Sequence, residues 1–192
     1  MNLEKANSID VVSSSMVCNG GANAKVRGGG VFRAECKDKD GNLKWVAESS
    51  NLVVNQGLQD MNTQYFKGVS YSASFFLGLI TGPAASTTFA AGDTLATHLG
   101  WTEFTDYSGT RKTMTFGTAS TADPSVISNT ASPASFAITG AGGIVAGAFL
   151  CTVASGTSGV LFSEADFQSP GDRTVVSGDT LNVTYTFSLD AL

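Results

Sequence analysis

From Val31 onward the chain alternates between apolar and polar positions with a period of two, the signature of strands with one buried face. In VFRAECK, Phe32, Ala34 and Cys36 fall on one face and Arg33, Glu35 and Lys37 on the other. LKWVAE repeats the pattern, with Leu43, Trp45 and Ala47 set against Lys44 and Glu48. DKDGN lies between them, and Asp40-Gly41 is the dipeptide of a two-residue type I′ hairpin. A turn centred there pairs Cys36 with Trp45, Ala34 with Ala47 and Arg33 with Glu48, so one face stays apolar.

One segment changes period. After Asn55, a candidate cap, QGLQDMNTQYF places Leu58, Met61, Tyr65 and Phe66 at i, i+3, i+7 and i+8, and Gly68 stops it. This predicts the one convincing helix, near residues 56–66, with its aromatics in the core. SFFLGLIT (74–81) is a continuous apolar run, as in a strand buried on both faces. After a polar Ala/Gly-rich stretch to about Gly100, strand-like segments recur in RKTMTFG, ASFAIT, IVAGAFLCTV, GVLFSE and TLNVTYTFSL. In the last, Leu181, Val183, Tyr185, Phe187 and Leu189 alternate with polar residues. Eight or nine short strands and one helix predict an all-β fold, an antiparallel β-sandwich of jelly-roll type, over residues 31–192.

Residues 1–30 have no such period and run through SSS, NGGANA and RGGG, the composition of an extended N-terminal arm. Gly28–Gly30 reads as flexible punctuation, since no GK[ST] follows. GDTL occurs twice, at Gly92–Leu95 and Gly178–Leu181, and reads as local turn chemistry.

Composition narrows the function. Gly, Ala, Ser and Thr supply 87 of 192 residues, which suits strands and turns better than long helices. The formal net charge of −5 argues against a free-standing nucleic-acid binder, whose affinity comes largely from basic groups on phosphate. No window reaches the ~20 apolar residues of a membrane span, and the first residues show no apolar core of signal-peptide length. These features predict a soluble protein made in the cytoplasm.

Little in the chain points to catalysis. Cys18, Cys36 and Cys151 are scattered and predict buried thiols, not a metal site. DKDGN lacks the later ligands of a calcium loop. His98 is the only histidine, sits in ATHLGW beside Trp101, and reads as a surface or aromatic-packed residue. Glu103/Asp106 and Glu164/Asp166 are local acid pairs, read as solvated loop acids rather than a glycosidase pair. Neither a catalytic residue, a metal nor a cofactor is expected. Trp101 and Tyr107 would serve sugar stacking if exposed, but core packing is the expectation.

Charge is uneven. Residues 1–67 hold eight of the eleven bases and seven acids, whereas residues 68–192 hold three bases and nine acids. A basic N-terminal region suits an acidic partner.

ECKDKDGNLKWVAESSNLVVNQGLQDMNTQYFKG, FFLGLI, FAAGDTLATHLGWTEFTDYS, TRKTMTFG, ASFAIT, GAFLCTV and SGDTLNVTYTFSL together resemble the cement, or head decoration, proteins of short-tailed phages. The resemblance runs from about Arg33 to Leu189 with order retained; residues 1–30 are longer than the family's usual start. It implies a jelly-roll β-sandwich bound outside the major capsid protein shell, bridging capsomers on a virion assembled in a bacterial cytoplasm. A homo-oligomer, dimer or trimer, is expected, with neither nucleic acid nor membrane as partner. On that basis Lys25, Arg27, Arg33, Lys37, Lys39, Lys44 and Lys67, within the first 67 residues, are the candidate capsid-binding residues, with the arm and first hairpin facing the capsid. The loop from Gly82 to Gly100 is the alternative attachment. The alternative function is a tail-fibre or receptor- and carbohydrate-binding module.

Overall fold

Cys36 lies opposite Trp45 and Arg33 opposite Glu48 in the first hairpin, the register that the apolar alternation requires. The structure, a computed structural model, describes residues 26–67, 74–81, 87–167 and 171–191. Cys18, Lys25, Gly68 and the first 25 residues of the expected arm lie outside them.

The turn differs from the expected two-residue form. Asp38 N–H donates to Asn42 O at 2.9 Å and Gly41 N–H to Asp38 O at 3.0 Å. Gly41 has φ +87°, and among the described residues no non-glycine has positive φ. A type I′ turn needs two such residues, so this is a type I turn closed by a glycine bulge. Asp38 fixes it: its Oδ1 accepts the Asp40 and Asn42 amides at 2.9 Å each. The added residue is absorbed as a register shift after Cys36.

Among the described residues twelve strands form two antiparallel sheets. In the first, β1 (Val26–Lys37) lies between β2 (Leu43–Ser50) and β12 (Thr180–Ala191). The other flank of β12 carries β7 (Ser125–Ser128) and β8 (Ala134–Ala137) end to end. In the second, the order is β3 (Leu52–Val53), β10 (Leu161–Asp166), β9 (Gly142–Cys151), β4 (Phe76–Thr81) and β5 (Thr102–Phe104). There β11 (Arg173–Val176) also pairs with β9, and β6 (Lys112–Thr113) with β4. The chain is thus an all-β antiparallel sandwich. It has more strands than the sequence predicts because β3, β5, β7 and β11 are too short to display a period.

Phe32, Ala34 and Cys36 from β1 and Leu181, Val183 and Tyr185 from β12 meet Leu77, Leu79, Ala148, Leu150 and Phe162 of the facing sheet. The second sheet is buried on its outer side as well. Leu95 and Trp101, from the segment 87–101, cover Ile80, Ala146, Phe149 and Leu161. Burial on both faces explains why β4 and β9 read as unbroken apolar runs.

β1 begins at Val26, five residues before the expected start of order, and pairs with β12 up to Ala191. Gly28–Gly30 are therefore ladder residues. The Tyr185 and Phe187 rings lie against Gly30 and Gly28, room that a side chain would take. The two GDTL copies share one local device: Asp93 and Asp179 each accept the amide three residues back, at 3.1 and 2.9 Å.

Candidate functional site

The six proposed cations that lie among the described residues do not form one patch. Lys25 lies outside the described residues. Arg27, Arg33 and Lys37 alternate with the core positions of β1 and so share its outer face. Arg27 and Lys37 are ten residues apart on one strand, about 33 Å at ~3.3 Å per residue. Arg33 pairs with Glu35 beside it, and Lys39 with Asp40 in the turn at 2.9 Å. Lys67 is exposed at the last residue of α1 (Asn55–Lys67). Lys44 is structural. It pairs at 2.5 Å with the carboxylate of Asp179, which is 2% exposed and also accepts the Val176 amide. The hydrogen bond to Asp179 holds the Lys44 ammonium above its usual range.

The helix supplies the surface that sequence reading missed. Its first helical bond runs from Leu58 N–H to Val54 O, so Val54 is the cap, one residue ahead of the expected Asn55. Gly57 is its one buried residue, because it rests on the β10 backbone: a Cβ there would lie 2.3 Å from Phe162 O. That contact sets the rotation. At 100° per residue, Met61 follows Gly57 toward the core and Phe66 falls about 180° away. Phe66 is accordingly 77% exposed; Tyr65, at the flank of the helix, is 82% exposed and Leu58 48%, so the expected core placement of the two aromatics is corrected. The two rings pack edge to face at 5.0 Å. Beside them runs an apolar groove of about 690 Å³, lined by Val26, Met61, Tyr65, Phe75, Phe162 and Leu189 among others. An i, i+3, i+7 pattern marks one stripe of a helix but does not say whether that stripe meets the core or a partner.

Three of the four paired acids stand on strands, whereas Asp106 lies in the loop after β5 as expected. Glu164 and Asp166 stand two residues apart on β10, and Glu103 lies on β5. Glu103 holds the buried Arg111 guanidinium at 2.9 and 2.8 Å, and Arg111 also lies over the Phe149 ring. Glu164 is wholly buried; its Oε2 accepts the Trp101 indole N–H at 2.8 Å, and its Oε1 has no hydrogen-bond partner. Burial pushes its carboxyl up to about 8, with Asp93 nearby adding to the rise. Burial likewise raises Asp166, and Asp172 adds to it.

His98 is packed on an aromatic ring: it stacks on Trp101 at 3.7 Å, with Nδ1 3.1 Å from Trp101 O. Trp101 and Tyr107 are 5% and 6% exposed, so neither offers a face for a sugar. Cys36 and Cys151 are buried free thiols, and desolvation raises both, Cys36 to about 11. Among the described residues no group of three or more His, Cys, Asp or Glu side chains is placed to hold a metal ion. Among the same residues no helix is long and apolar enough to cross a membrane.

In comparisons with known proteins, the chain matches no family model, no curated protein and no solved structure.

Proposed function

We propose that this protein is a structural component of a phage virion that decorates the capsid exterior. It would bind the outer surface of the major capsid protein shell and bridge capsomers as a dimer or trimer without catalysis. The resemblance to cement proteins leads to this reading, and a jelly-roll connectivity goes with it. The observation that carries it is the Tyr65–Phe66 pair standing exposed beside an apolar groove. Contiguous apolar surface of this kind serves association, and aromatic residues are favoured anchors in interfaces. A decoration protein needs only modest strength per contact, because a shell of identical subunits adds contacts by avidity.

On this reading the apolar helix surface does most of the gripping. The cations are dispersed, and three of them already face carboxylates. Binding to undecorated heads across a salt series tests it. Attachment that persists at high salt and falls on Tyr65→Ser or Phe66→Ser supports it; attachment that collapses with salt and ignores those changes returns the role to the cations. Copy number tests the function itself. A decoration protein is present on the order of hundreds per particle through repeated contacts, whereas a receptor-binding fibre module, the second reading, is present in far fewer.

A further inference from the structure

A second surface lies along the outer edge of β2. Among the described strands of eight residues or more, β2 alone has a neighbour on one side only; β1, β9 and β12 are flanked on both. The hydrogen bonds fix which of its main-chain groups face outward. Asn51 N–H donates to Gly30 O at 2.9 Å, so in the register of this hairpin Ser49, Ala47 and Trp45 are the residues that exchange bonds with β1. The phase of β1 agrees, since Gly29 O and Arg33 O accept the Ser188 and Thr184 hydroxyls on its β12 side. Val46 and Glu48 therefore turn both N–H and C=O away from β1, and among the described residues no strand meets them there. Ser50 faces the same way, but its carbonyl accepts the Ser49 hydroxyl at 3.3 Å.

An open edge is ordinarily blunted by proline, a bulge, lysine or a covering segment. The other flank of this sheet has such a cover: Gly117 and Ser120 N–H donate to Ser128 O and Val126 O of β7 at 2.8 Å. Along β2 the run from Trp45 to Ser50 has no proline and keeps one register. The bulge falls at its far end, after Cys36, and Lys44 there is drawn to Asp179. Glu48 is the single charge left on the run.

We propose that β2 is the self-association edge of this protein, pairing antiparallel with β2 of a second copy across a two-fold axis at Ala47. In that register Val46 N–H donates to Glu48 O of the partner copy, Val46 O accepts its Glu48 N–H, and the two-fold repeats both bonds. Ala47 faces its own equivalent at the non-hydrogen-bonded spacing of about 4.5 Å between Cα atoms, which a small side chain suits. Glu48 lies between Val46 of the partner copy and Arg33 of its own β1, so no like charges are opposed. A two-fold at Glu48 would set two carboxylates against each other, and one at Val46 would run into the bulge at Lys44. A second copy is also the occupant that ends the open edge. A strand from any other source would carry an unpaired edge on its own far side, whereas two copies of β2 cover each other. The inference stands apart from the capsid reading and selects a dimer over a trimer.

Sedimentation equilibrium of the isolated full-length protein tests it, together with amide hydrogen exchange read by two-dimensional NMR. The mass should rise from one chain to two with a dissociation constant on the order of 10–100 µM, weak because one strand edge is a small interface. The Val46 and Glu48 amides should gain protection as the dimer forms. Val46→Pro removes an N–H that faces away from β1, so the fold tolerates it, while the dimer loses one bond per copy and weakens at least about tenfold. A chain that stays monomeric up to about 1 mM overturns the proposal, as does a trimer. A dimer in which those two amides exchange no more slowly than in the monomer overturns it too, and so does protection of both in the dilute monomer. These readings need only the wild type should Val46→Pro fail to fold.

Discussion

The side chain of Asn129 stands in for a strand residue opposite Tyr185. Wholly buried between β7 and β8, its Oδ1 accepts the Tyr185 amide at 2.7 Å and its Nδ2 donates to Val183 O at 3.3 Å. It thereby closes the break in the ladder where one short strand hands over to the next. Asn129→Ala would leave two buried backbone groups of the central strand β12 unpaired, at about 1–3 kcal/mol each. Urea denaturation should show a loss of about 2–5 kcal/mol, while Asn42→Ala, in an exposed turn, should cost less than ~1 kcal/mol.

Lys44 and Lys39 separate stability from surface charge. Lys44 faces a buried carboxylate, so its removal leaves that charge without its partner. Lys44→Ala should lower stability by about 1–3 kcal/mol, moderated because the lysine itself is partly solvated. Lys39 and Asp40 are both largely exposed, and Lys39→Ala should change stability by less than ~0.5 kcal/mol. Thermal melts of the two variants side by side check the difference.

Gly57 and Phe66 occupy opposite sides of the same helix and should respond in opposite ways. Gly57→Val forces the helix off the β10 backbone and should destabilise by about 1–3 kcal/mol. Phe66→Ser removes an exposed ring and should leave the unfolding midpoint nearly unchanged while weakening partner binding. A Phe66→Ser variant that unfolds at markedly lower denaturant would show the ring is part of the core.

The sandwich and its first hairpin were legible because a period of two survives wherever one face is buried and the other wet, as along β1 and β12. What escaped the sequence was set by contacts remote along the chain. Gly57 fixes the helix rotation through a carbonyl on β10, more than a hundred residues later, and so turns Tyr65 and Phe66 outward. Glu164 is an acid in a strand covered on both faces, and only the position of Trp101 reveals that it is buried. The charge count located the cations correctly in the N-terminal third, yet it could not show that Lys44 reaches Asp179 across the sheet. The turn at Asp38–Asn42 was misread for a local reason: an aspartate two residues before Asp40 redirects the backbone through its own hydrogen bonds.

Glu164 should make the protein less stable as pH rises from weakly acidic to weakly alkaline. Its carboxyl titrates at about 8 in the folded chain against the ordinary value of 4.5, because burial disfavours the anion and Asp93 adds to that. Between those values the folded state binds more protons than the unfolded state, so unfolding releases protons and the free energy of unfolding falls with increasing pH. The fall is at most about 1.4 kcal/mol per pH unit for one group. It begins near the unfolded value and levels off once the folded group is itself ionised. Asp166, also raised by burial and by Asp172, acts in the same direction. Urea midpoints measured from pH 5 to pH 9 should therefore decline in the wild type. In Glu164→Gln, which keeps an acceptor for the Trp101 indole but cannot ionise, the decline should flatten to the smaller slope left by Asp166. A wild-type midpoint that rises across this range, or a Gln variant with an unchanged slope, would place the titrating proton elsewhere than on Glu164.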